Sequence, residues 1–334
     1  MLLATAAAKD GELRHSDVEP AFLKADIDEE LYIEIPGEYQ KFPGAVGRLN
    51  KAIYGLVQAG RCWNNTFCGD MAAIGFEEGK ADPRVFRKVG DGEAEVVVVV
   101  HVYDILAHAK DKATMDIFAA ELGQKFILKD MCDARYYMGC HLTGNRKARE
   151  LKTDQHLYVE SRMETFDVKQ ETKIPATSGV PNLSKTDELW DPEEREEMRK
   201  IPYREAVGAL MWTATMTRPV ITSKVRAVAR CCEHPGPVHI REVMKIMQYF
   251  LHTKDWGITY GGKGCGLCVE AYTDLAFGPC LDTRRSVSGA VLMLAKGAIS
   301  WYSRMKEVTA SGTSEAEYVA LSEAVKEVLF LRQV

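Results

Sequence analysis

Five consecutive valines at positions 96–100, in the stretch VVVVVHVYDILAHAK, constrain the fold of this chain more than any other feature. Valine favours strands, and an apolar run without alternation is typical of a strand buried on both faces. We predict a central strand over residues 96–104. Tyr103 and Asp104 stand at its end, where the chain should turn. A carboxylate at the end of a buried strand is a candidate catalytic group, although aspartate is also common in turns.

Composition sets broad bounds. The 334 residues are 46% hydrophobic and 27% charged, as in a globular protein of about two or three domains. The opening MLLATAAA lacks a basic region before its apolar residues, so we expect an intracellular protein, in the cytoplasm or nucleus, and not a secreted one. No apolar run approaches the roughly 18 residues of a membrane span. Cys265 and Cys268 have a metal-like spacing, but no second such pair follows.

Local patterns predict a mixed succession of helices and strands. We expect a hairpin from VFRKV through Gly-Asp-Gly at 90–92 to the valine strand. Residues 171–202 are rich in Pro, Ser, Asp and Glu and should form a surface connection. Predicted strands lie at 17–22, 31–35, 268–274 and 287–301, and predicted helices at 1–15, 49–75, 111–126, 203–232, 239–252 and from 314 to the C-terminus.

Two carboxylates are candidates for a joint role. Asp17 precedes the apolar Ala21-Phe22-Leu23, and Asp104 ends the valine strand. Carboxylates at adjacent strand ends can hold divalent ions about 4 Å apart, which clamp the attacking and leaving oxygens in phosphoryl transfer. The alternative is that each aspartate only caps a turn.

Ten sequence blocks stand in an order that resembles a known family. They are DVEPAFLKADIDEELYIEIPGEY, RLNKAIYGLVQAGRCW, ADPRVFRK, VVVVVHVYDILA, KFILKDMCDARYYMGCHL, YREAVGALMWTATMTRPVI, LHTKDWGITY, AYTDLAFG, CLDTRRSVSGAVLMLAKGAISWYS and TSEAEYVALSEAVKEVLFLR. This order resembles the reverse transcriptase and RNase H region of copia-type LTR retrotransposon polyproteins. The resemblance covers almost the whole chain.

The resemblance implies an α+β fold built as a truncated right-hand polymerase palm. Residues 1–150 would be the palm, without the fingers that precede this block in the family. Residues 151–262 would be a helical thumb or connection, and residues 266–334 the first part of an RNase H-like domain.

The resemblance also implies roles for single residues. Asp17 matches the first catalytic, metal-binding aspartate, and Asp104 the second carboxylate of a later motif. Phe22 matches the aromatic residue under the incoming sugar, and Gln58 a glutamine near the templating pair. The turn Tyr137-Met138-Gly139 matches the segment that holds the primer end. Phe22 would also serve as an ordinary core residue, and the turn needs no primer to form.

The strand end departs from the family pattern. The family has Tyr-Val-Asp-Asp where this chain has His101, Val102, Tyr103 and Asp104, so a tyrosine replaces the first of the two carboxylates. Val57 and Gly60 likewise replace the usual Lys and Pro beside Gln58. Because Tyr103 is a single-base change from aspartate, we interpret it as decay of an unselected copy.

The second metal site that the resemblance implies contains Asp274 and Glu317. Asp274 lies in AYTDLAFG and Glu317 in TSEAEYVAL. Glu317 has an alternative role, since Ser314-x-x-Glu317 also matches a capping box at a helix N-terminus. Tyr318, Leu321, Val325 and Val328 would then form the apolar face of that helix.

The implied reactions are RNA-directed DNA synthesis and degradation of the RNA strand, with Mg²⁺ as cofactor. The implied partners are an RNA template, a DNA primer, the RNA–DNA hybrid and deoxynucleoside triphosphates, with no membrane. We expect the chain to be inactive as a polymerase. The alternatives are slow residual polymerisation and a non-catalytic nucleic-acid-binding protein, either a remnant or a domesticated one. We also expect poor solubility, with exposed apolar surface and an unpaired strand edge near residues 287–301.

Overall fold

The computed structural model describes residues 1–89, 95–173, 183–184, 193, 196, 198, 200–307 and 312–333. The chain has a mixed α and β architecture and divides into two compact units. Residues 9–134 form most of the first unit, and residues 3–8 with 135–332 form most of the second. Most of the predicted connection at 171–202 lies outside the described residues. No helix in the described part of the chain is long and apolar enough to cross a membrane.

The first unit contains a six-stranded antiparallel sheet, in the order β4-β5-β6-β7-β1-β8. Its strands are β1 (Glu12–Val18), β4 (Glu77–Glu78), β5 (Val85–Val89), β6 (Glu95–His101), β7 (Asp104–Ala109) and β8 (Leu128–Asp133). A two-stranded sheet is formed by β2 (Tyr32–Glu34) and β3 (Val46–Arg48). The helices of the unit are α2 (Ala21–Lys24), α3 (Ala59–Ala73) and α4 (Lys112–Lys125).

The core of this unit lies between the sheet and the helices. Phe67 of α3 is 2% exposed and stacks on Phe126 at 5.3 Å between ring centroids. Trp63 and Phe86 also pack against the Phe67 ring, each at 5.5 Å between ring centroids. Such aromatic contacts stabilise a core beyond the area they bury. They hold α3 against β5, and Val98 of the neighbouring valine strand is fully buried in the same core.

Helix ends in this unit follow local capping rules. The N-cap of α4 is Asp111, whose side chain accepts a hydrogen bond from the Thr114 backbone N–H at 2.8 Å. Helix α3 ends just before Gly75, whose φ of +85° suits a residue without a side chain. The helix predicted at 111–126 is confirmed, and its cap could be read from the sequence.

Three elements predicted near the N-terminus are wrong in their bounds. The helix expected at 1–15 ends at Lys9, because residues 12–18 form β1. The strand expected at 17–22 begins earlier and ends at Val18, because residues 21–24 form a helical turn. The helix expected at 49–75 begins only at Ala59, because residues 49–58 form turns and an isolated bridge between Lys51 and Asp26. Contacts within the folded unit override the local periodicity in these segments.

The strand pairing of the valine hairpin is confirmed, although its predicted turn at 90–92 lies outside the described residues and its second strand is shorter than predicted. Val85 pairs with Val99 and Phe86 with Val98, so β5 and β6 are antiparallel neighbours. The strand ends at His101, which pairs with Asp104 across a two-residue turn. Val102 and Tyr103 form that turn, and Asp104 begins the next strand. The prediction of one strand over residues 96–104 is therefore wrong at its end.

The second unit contains a four-stranded antiparallel sheet and a helical cluster. The sheet has the order β12-β11-β10-β9. Its strands are β9 (Tyr136–Tyr137), β10 (Cys140–Asn145), β11 (Glu150–Asp154) and β12 (Gly257–Gly261). The helices are α1 (Leu2–Lys9), α5 (His156–Thr165), α6 (Tyr203–Met216), α7 (Thr222–Ala229) and α8 (Pro237–His252). The predicted helix at 203–232 is thus broken at Pro219, which begins a short 3₁₀ turn.

The same unit contains a three-stranded antiparallel sheet covered by a long helix. The strands, in the order β13-β14-β15, are β13 (Glu270–Ala276), β14 (Val287–Leu294) and β15 (Gly297–Met305), and the helix is α9 (Thr313–Leu331). The strand expected at 287–301 is a hairpin, because Ala295 and Lys296 both have positive φ and reverse the chain. Residues 287–294 lie in the middle of the sheet, so the edge expected near residues 287–301 is wrong for β14. Residues 297–301 belong to β15, which is an edge strand of this sheet, as is β13.

The predicted capping box of α9 is not formed, and its predicted apolar face is wrong except for Val328, which packs against the core beside the sheet. The helix begins at Thr313 with Gly312 as N-cap, and no side chain caps it, so Ser314 already lies inside the first turn. Its buried residues are Ala316, Ala320 and Ala324, whereas Tyr318, Leu321 and Val325 are 75%, 49% and 47% exposed. Small side chains let the helix lie close to the sheet, which turns the larger apolar residues outward.

Candidate active site

Asp17 and Asp104 are opposite each other on adjacent strands. Asp17 is the penultimate residue of β1, Asp104 is the first residue of β7, and the two form a register pair. Side chains of a directly opposed pair project to the same side of a sheet. Both residues are partly buried. The arrangement brings together two residues that the sequence analysis treated as joint candidates.

The Asp17 carboxyl group lies in an unfavourable electrostatic position. Burial, and next the charges of Asp104 and Glu19, raise its pKa above the ordinary value. Asp17 Oδ1 is buried, and no donor among the described residues reaches it. A buried carboxylate oxygen without a donor is costly, and a bound cation would supply what this oxygen lacks.

His15 is a neighbour of the pair that sequence reasoning missed. Its Nε2 lies 3.1 Å from Asp104 Oδ1, and its side chain is only 8% exposed. Because side chains alternate along a strand, residues 15 and 17 of β1 face the same side, and this spacing is the signal that could have identified it. His15 therefore orients the Asp104 carboxylate while Asp17 faces it across the strands.

The turn beside the pair contains the tyrosine. Val102 has φ of +59°, which is unusual for a β-branched residue. The turn is held by two hydrogen bonds, from Trp63 Nε1 to Val102 O at 2.5 Å and from Val18 N to Tyr103 O at 3.1 Å. The Tyr103 side chain is 37% exposed. The backbone of the turn is thus fixed between core and sheet, while the tyrosine ring faces outward.

Phe22 and Gln58 lie in the same unit as the carboxylate pair. Phe22 is partly buried against the aromatic core and meets Tyr54 edge to face at 4.7 Å. Gln58 precedes α3 and donates a hydrogen bond to Glu29 Oε2 at 2.8 Å. The adjacent Val57 is 97% exposed. Both site candidates are therefore held by packing or by hydrogen bonding.

The segment Tyr137-Met138-Gly139 lies in the second unit and forms a tight turn. Tyr137 pairs with Cys140, so Met138 and Gly139 are a two-residue loop between β9 and β10. Both have positive φ, of 48° and 77°. Positive φ at both central residues defines a type I′ turn, which matches the twist of the flanking strands.

Asp274 and Glu317 also lie in the second unit. Asp274 is in β13, opposite Gly289 of β14, and its side chain is exposed. Glu317 is exposed on the first turns of α9, directly after the buried Ala316. With no capping box formed, Glu317 is not engaged in the helix start, which removes the alternative role considered for it.

Two opposed carboxylates at one sheet edge are the donor set of a hard divalent cation, so the fold and site define a candidate metal-dependent phosphoryl-transfer centre. The family described as reverse transcriptase (RNA-dependent DNA polymerase) matches residues 1–178. The chain belongs to this reverse transcriptase family, as the ordered sequence blocks predicted.

Comparison with curated proteins agrees with this assignment. The chain is 33% identical over 99% of its length to the retrovirus-related Pol polyprotein from transposon TNT 1-94 of Nicotiana tabacum, and covers 25% of that protein. It is 28% identical over 99% of its length to the Pol polyprotein from transposon RE1 of Arabidopsis thaliana, covering 22% of it. A transposon Ty5-1 protein of Saccharomyces cerevisiae is 27% identical over 93% of this chain and 100% of its own length.

The prediction of a copia-type retrotransposon reverse transcriptase region is therefore confirmed. The chain spans about a quarter of the length of the two plant Pol polyproteins.

Proposed function

We propose that residues 1–150 are the palm of a reverse transcriptase and that its ancestral reaction, RNA-directed DNA synthesis, is strongly reduced in this chain. The observation that carries the proposal is the opposed pair Asp17–Asp104 with Tyr103 in the adjoining turn. Two carboxylates remain where metal ions are needed, and a neutral phenol stands beside them.

The donor set fits one hard cation such as Mg²⁺. Asp17 supplies a buried oxygen without a donor among the described residues, and Asp104 supplies a second carboxylate oriented by His15. When bound, the ion would neutralise phosphate charge in the transition state. Tyr103 adds no charge and only a weakly donating phenol oxygen, so it is a poor substitute for a third carboxylate.

The remaining residues of the unit would position substrates. The Phe22 ring, held by Tyr54 and the core, would lie under the sugar of an incoming deoxynucleoside triphosphate. Gln58 would contact the templating pair once its hydrogen bond to Glu29 is exchanged. Positioning of this kind is worth a large share of catalysis in phosphoryl transfer, because the protein makes few covalent contributions.

The second unit would contribute to nucleic-acid handling. We assign residues 151–262 to a thumb or connection and residues 266–334 to an RNase H-like domain. Asp274 and Glu317 would be its ancestral metal ligands. An antiparallel three-stranded sheet with a helix packed on it supports this assignment. The tight turn at Tyr137, Met138 and Gly139 would hold the primer end.

Partners follow from these assignments. They are an RNA template, a DNA primer, their hybrid and deoxynucleoside triphosphates. We infer an intracellular site of action, in the cytoplasm or nucleus, from the resemblance to retrotransposon Pol polyproteins.

Primer extension on the purified full chain tests the proposal, with Mg²⁺ and Mn²⁺ in separate reactions. We expect little extension with either ion. Binding of a labelled RNA–DNA template-primer is measured alongside. Binding without extension supports a reverse transcriptase remnant that still holds nucleic acid. Extension that is rapid, and unchanged in an Asp17→Asn control, would contradict the role given to this carboxylate pair.

A further inference from the structure

Three metal-binding side chains meet at one end of the four-stranded sheet. His141 of β10 is the direct register partner of Asp154 in β11, and His156 is the first residue of α5. Each residue offers one donor atom, and these atoms all lie within 4.8 Å of one another. The two imidazole rings are 5.1 Å apart between centroids, at an interplanar angle of 84°.

Local helix geometry explains only part of this cluster. Asp154 Oδ1 accepts from the backbone N–H of His156 at 3.3 Å and lies 2.6 Å from His156 Nδ1. Such contacts are common at a helix N-terminus. His141 comes from another strand and has no part in that motif. His141 places a second imidazole near the Asp154 carboxylate. With His156 and Asp154 it makes a set of three donors, which indicates a site for a metal ion.

The surroundings favour a cation at Asp154 Oδ1. The Asp154 side chain is 4% exposed, so its charge is held away from water. Lys152 Nζ lies 3.2 Å from the other oxygen, Oδ2, and also donates to Asp255 O at 2.6 Å. Lys152 therefore contacts Oδ2 of Asp154, whereas Oδ1 lies on the side of the histidines. His156 is 27% exposed and His141 is partly buried, so solvent can reach the open side.

We propose that His141, Asp154 and His156 bind a divalent transition metal, Zn²⁺ in the first instance, with solvent as a fourth ligand. Two imidazoles and one carboxylate suit zinc, whereas Mg²⁺ prefers oxygen ligands alone. Bond lengths near 2.1 Å in a tetrahedron require donors about 3.4 Å apart, so small side-chain rotations complete the site. The ion would tie the hairpin of β10 and β11 to the start of α5.

The test uses the full chain with Cys265→Ser and Cys268→Ser, because these exposed or half-exposed thiols could bind zinc independently. After removal of metal by chelation, ZnCl₂ is titrated calorimetrically, and CoCl₂ is followed by visible absorption. We expect one ion at this cluster, in addition to any ion at the Asp17–Asp104 pair, with a cobalt spectrum free of a thiolate charge-transfer band. MgCl₂ should not displace Zn²⁺ or Co²⁺ from the cluster.

Substitutions identify the ligands. His141→Gln and His156→Gln should each weaken zinc binding by at least about 10- to 100-fold, since each removes a direct ligand. His252→Gln is the matched control, because His252 also lies 3.2 Å from a carboxylate, that of Glu171, outside the cluster that could hold a metal. It should leave the affinity unchanged.

His141→Gln is the decisive variant, because its side chain is partly exposed and it is not part of the helix start. Circular dichroism with chelator present checks that this variant is folded. The proposal is overturned if the parent binds no zinc, if folded His141→Gln binds it as tightly as the parent, or if His252→Gln loses as much affinity.

Discussion

Asp17 and Asp104 are direct cross-strand partners, so two carboxylates from distant parts of the chain share one edge of the six-stranded sheet. Asp104 is contacted by His15, whereas a buried oxygen of Asp17 lacks a donor among the described residues. The pair is therefore asymmetric. Metal binding, stability and catalysis at this edge should respond differently to each partner and to Tyr103 beside them.

Replacing Tyr103 with aspartate should strengthen metal binding at this edge. The change adds one negative charge and two hard oxygen donors, and charge count tunes the affinity of such sites. We expect Mn²⁺ to bind at least about tenfold more tightly, as measured by electron paramagnetic resonance of free Mn²⁺. Primer extension should rise by about 10²- to 10³-fold wherever it is measurable, since a preorganised charge of this kind contributes that much.

Tyr103→Asn is the matched control for this prediction, because it has nearly the shape of aspartate without its charge. It should leave Mn²⁺ affinity close to that of the parent. Equal gains from both substitutions would mean that ring size, and not the missing carboxylate, limits the site. Asp17→Asn combined with Tyr103→Asp should cancel the gain.

Asp17→Asn should stabilise the protein when chelator is present. Burial and repulsion from Asp104 raise the pKa of Asp17, so its ionised form opposes folding at neutral pH. Opposed like charges on a sheet cost up to about 1 kcal/mol, and the neutral amide relieves them. Urea unfolding at pH 7 should show the gain. Asp104→Asn should raise the free energy of unfolding by less, because it weakens the contact with His15. A larger gain from Asp104→Asn than from Asp17→Asn would contradict the asymmetry of the pair.

The buried ion pair between Lys224 and Glu242 should control the stability of the helical cluster. Lys224 Nζ lies 3.0 Å from Glu242 Oε2, and the two side chains are 3% and 8% exposed. Glu242→Gln would leave a buried lysine charge unpaired, which costs about 3–5 kcal/mol. Thermal unfolding should reveal the loss. Lys224→Met with Glu242→Leu should recover most of it, whereas Lys245→Ala, at the exposed partner of Glu242, should have little effect.

The same glutamate predicts a pH dependence. Burial acts to raise its pKa, but the contacts with Lys245 and Lys224 outweigh burial and hold the pKa of Glu242 below its ordinary value of 4.5. A depressed pKa in the folded state stabilises the protein above about pH 4.5, and this stabilisation is lost as pH falls through the folded value. The difference in stability between the parent and Glu242→Gln should therefore shrink only below that pH. A constant difference down to pH 3 would contradict the assignment.

The two faces of α9 should respond in opposite ways to substitution. Ala320 is fully buried, and Ala320→Leu should overpack the contact with the sheet and cost about 1–3 kcal/mol. Leu321→Gln and Val325→Gln, on the exposed face, should leave the unfolding midpoint nearly unchanged and reduce self-association seen by light scattering. If the outward substitutions destabilise and Ala320→Leu does not, the helix packs through the face expected from its larger residues.

Strong local signals allowed several elements to be predicted from sequence. β-Branched residues and the sequence Gly-Asp-Gly between them predicted the hairpin of β5 and β6, and the helix that begins after Asp111 shows its cap in the sequence. The ordered blocks identified the family and the candidate carboxylates. These features depend on residues close together in the chain or on a pattern shared with relatives.

Contacts between distant residues were decided only by the tertiary structure. His15 and Asp104 are 89 residues apart, and their contact depends on the register of β1 against β7. The buried face of α9 depends on how closely a helix can approach the sheet, which favoured alanine over larger apolar residues. The cluster of His141, Asp154 and His156 depends on a cross-strand register in the same way. Register and packing distance are set by the free energy of the whole assembled unit, so no short stretch of sequence encodes them.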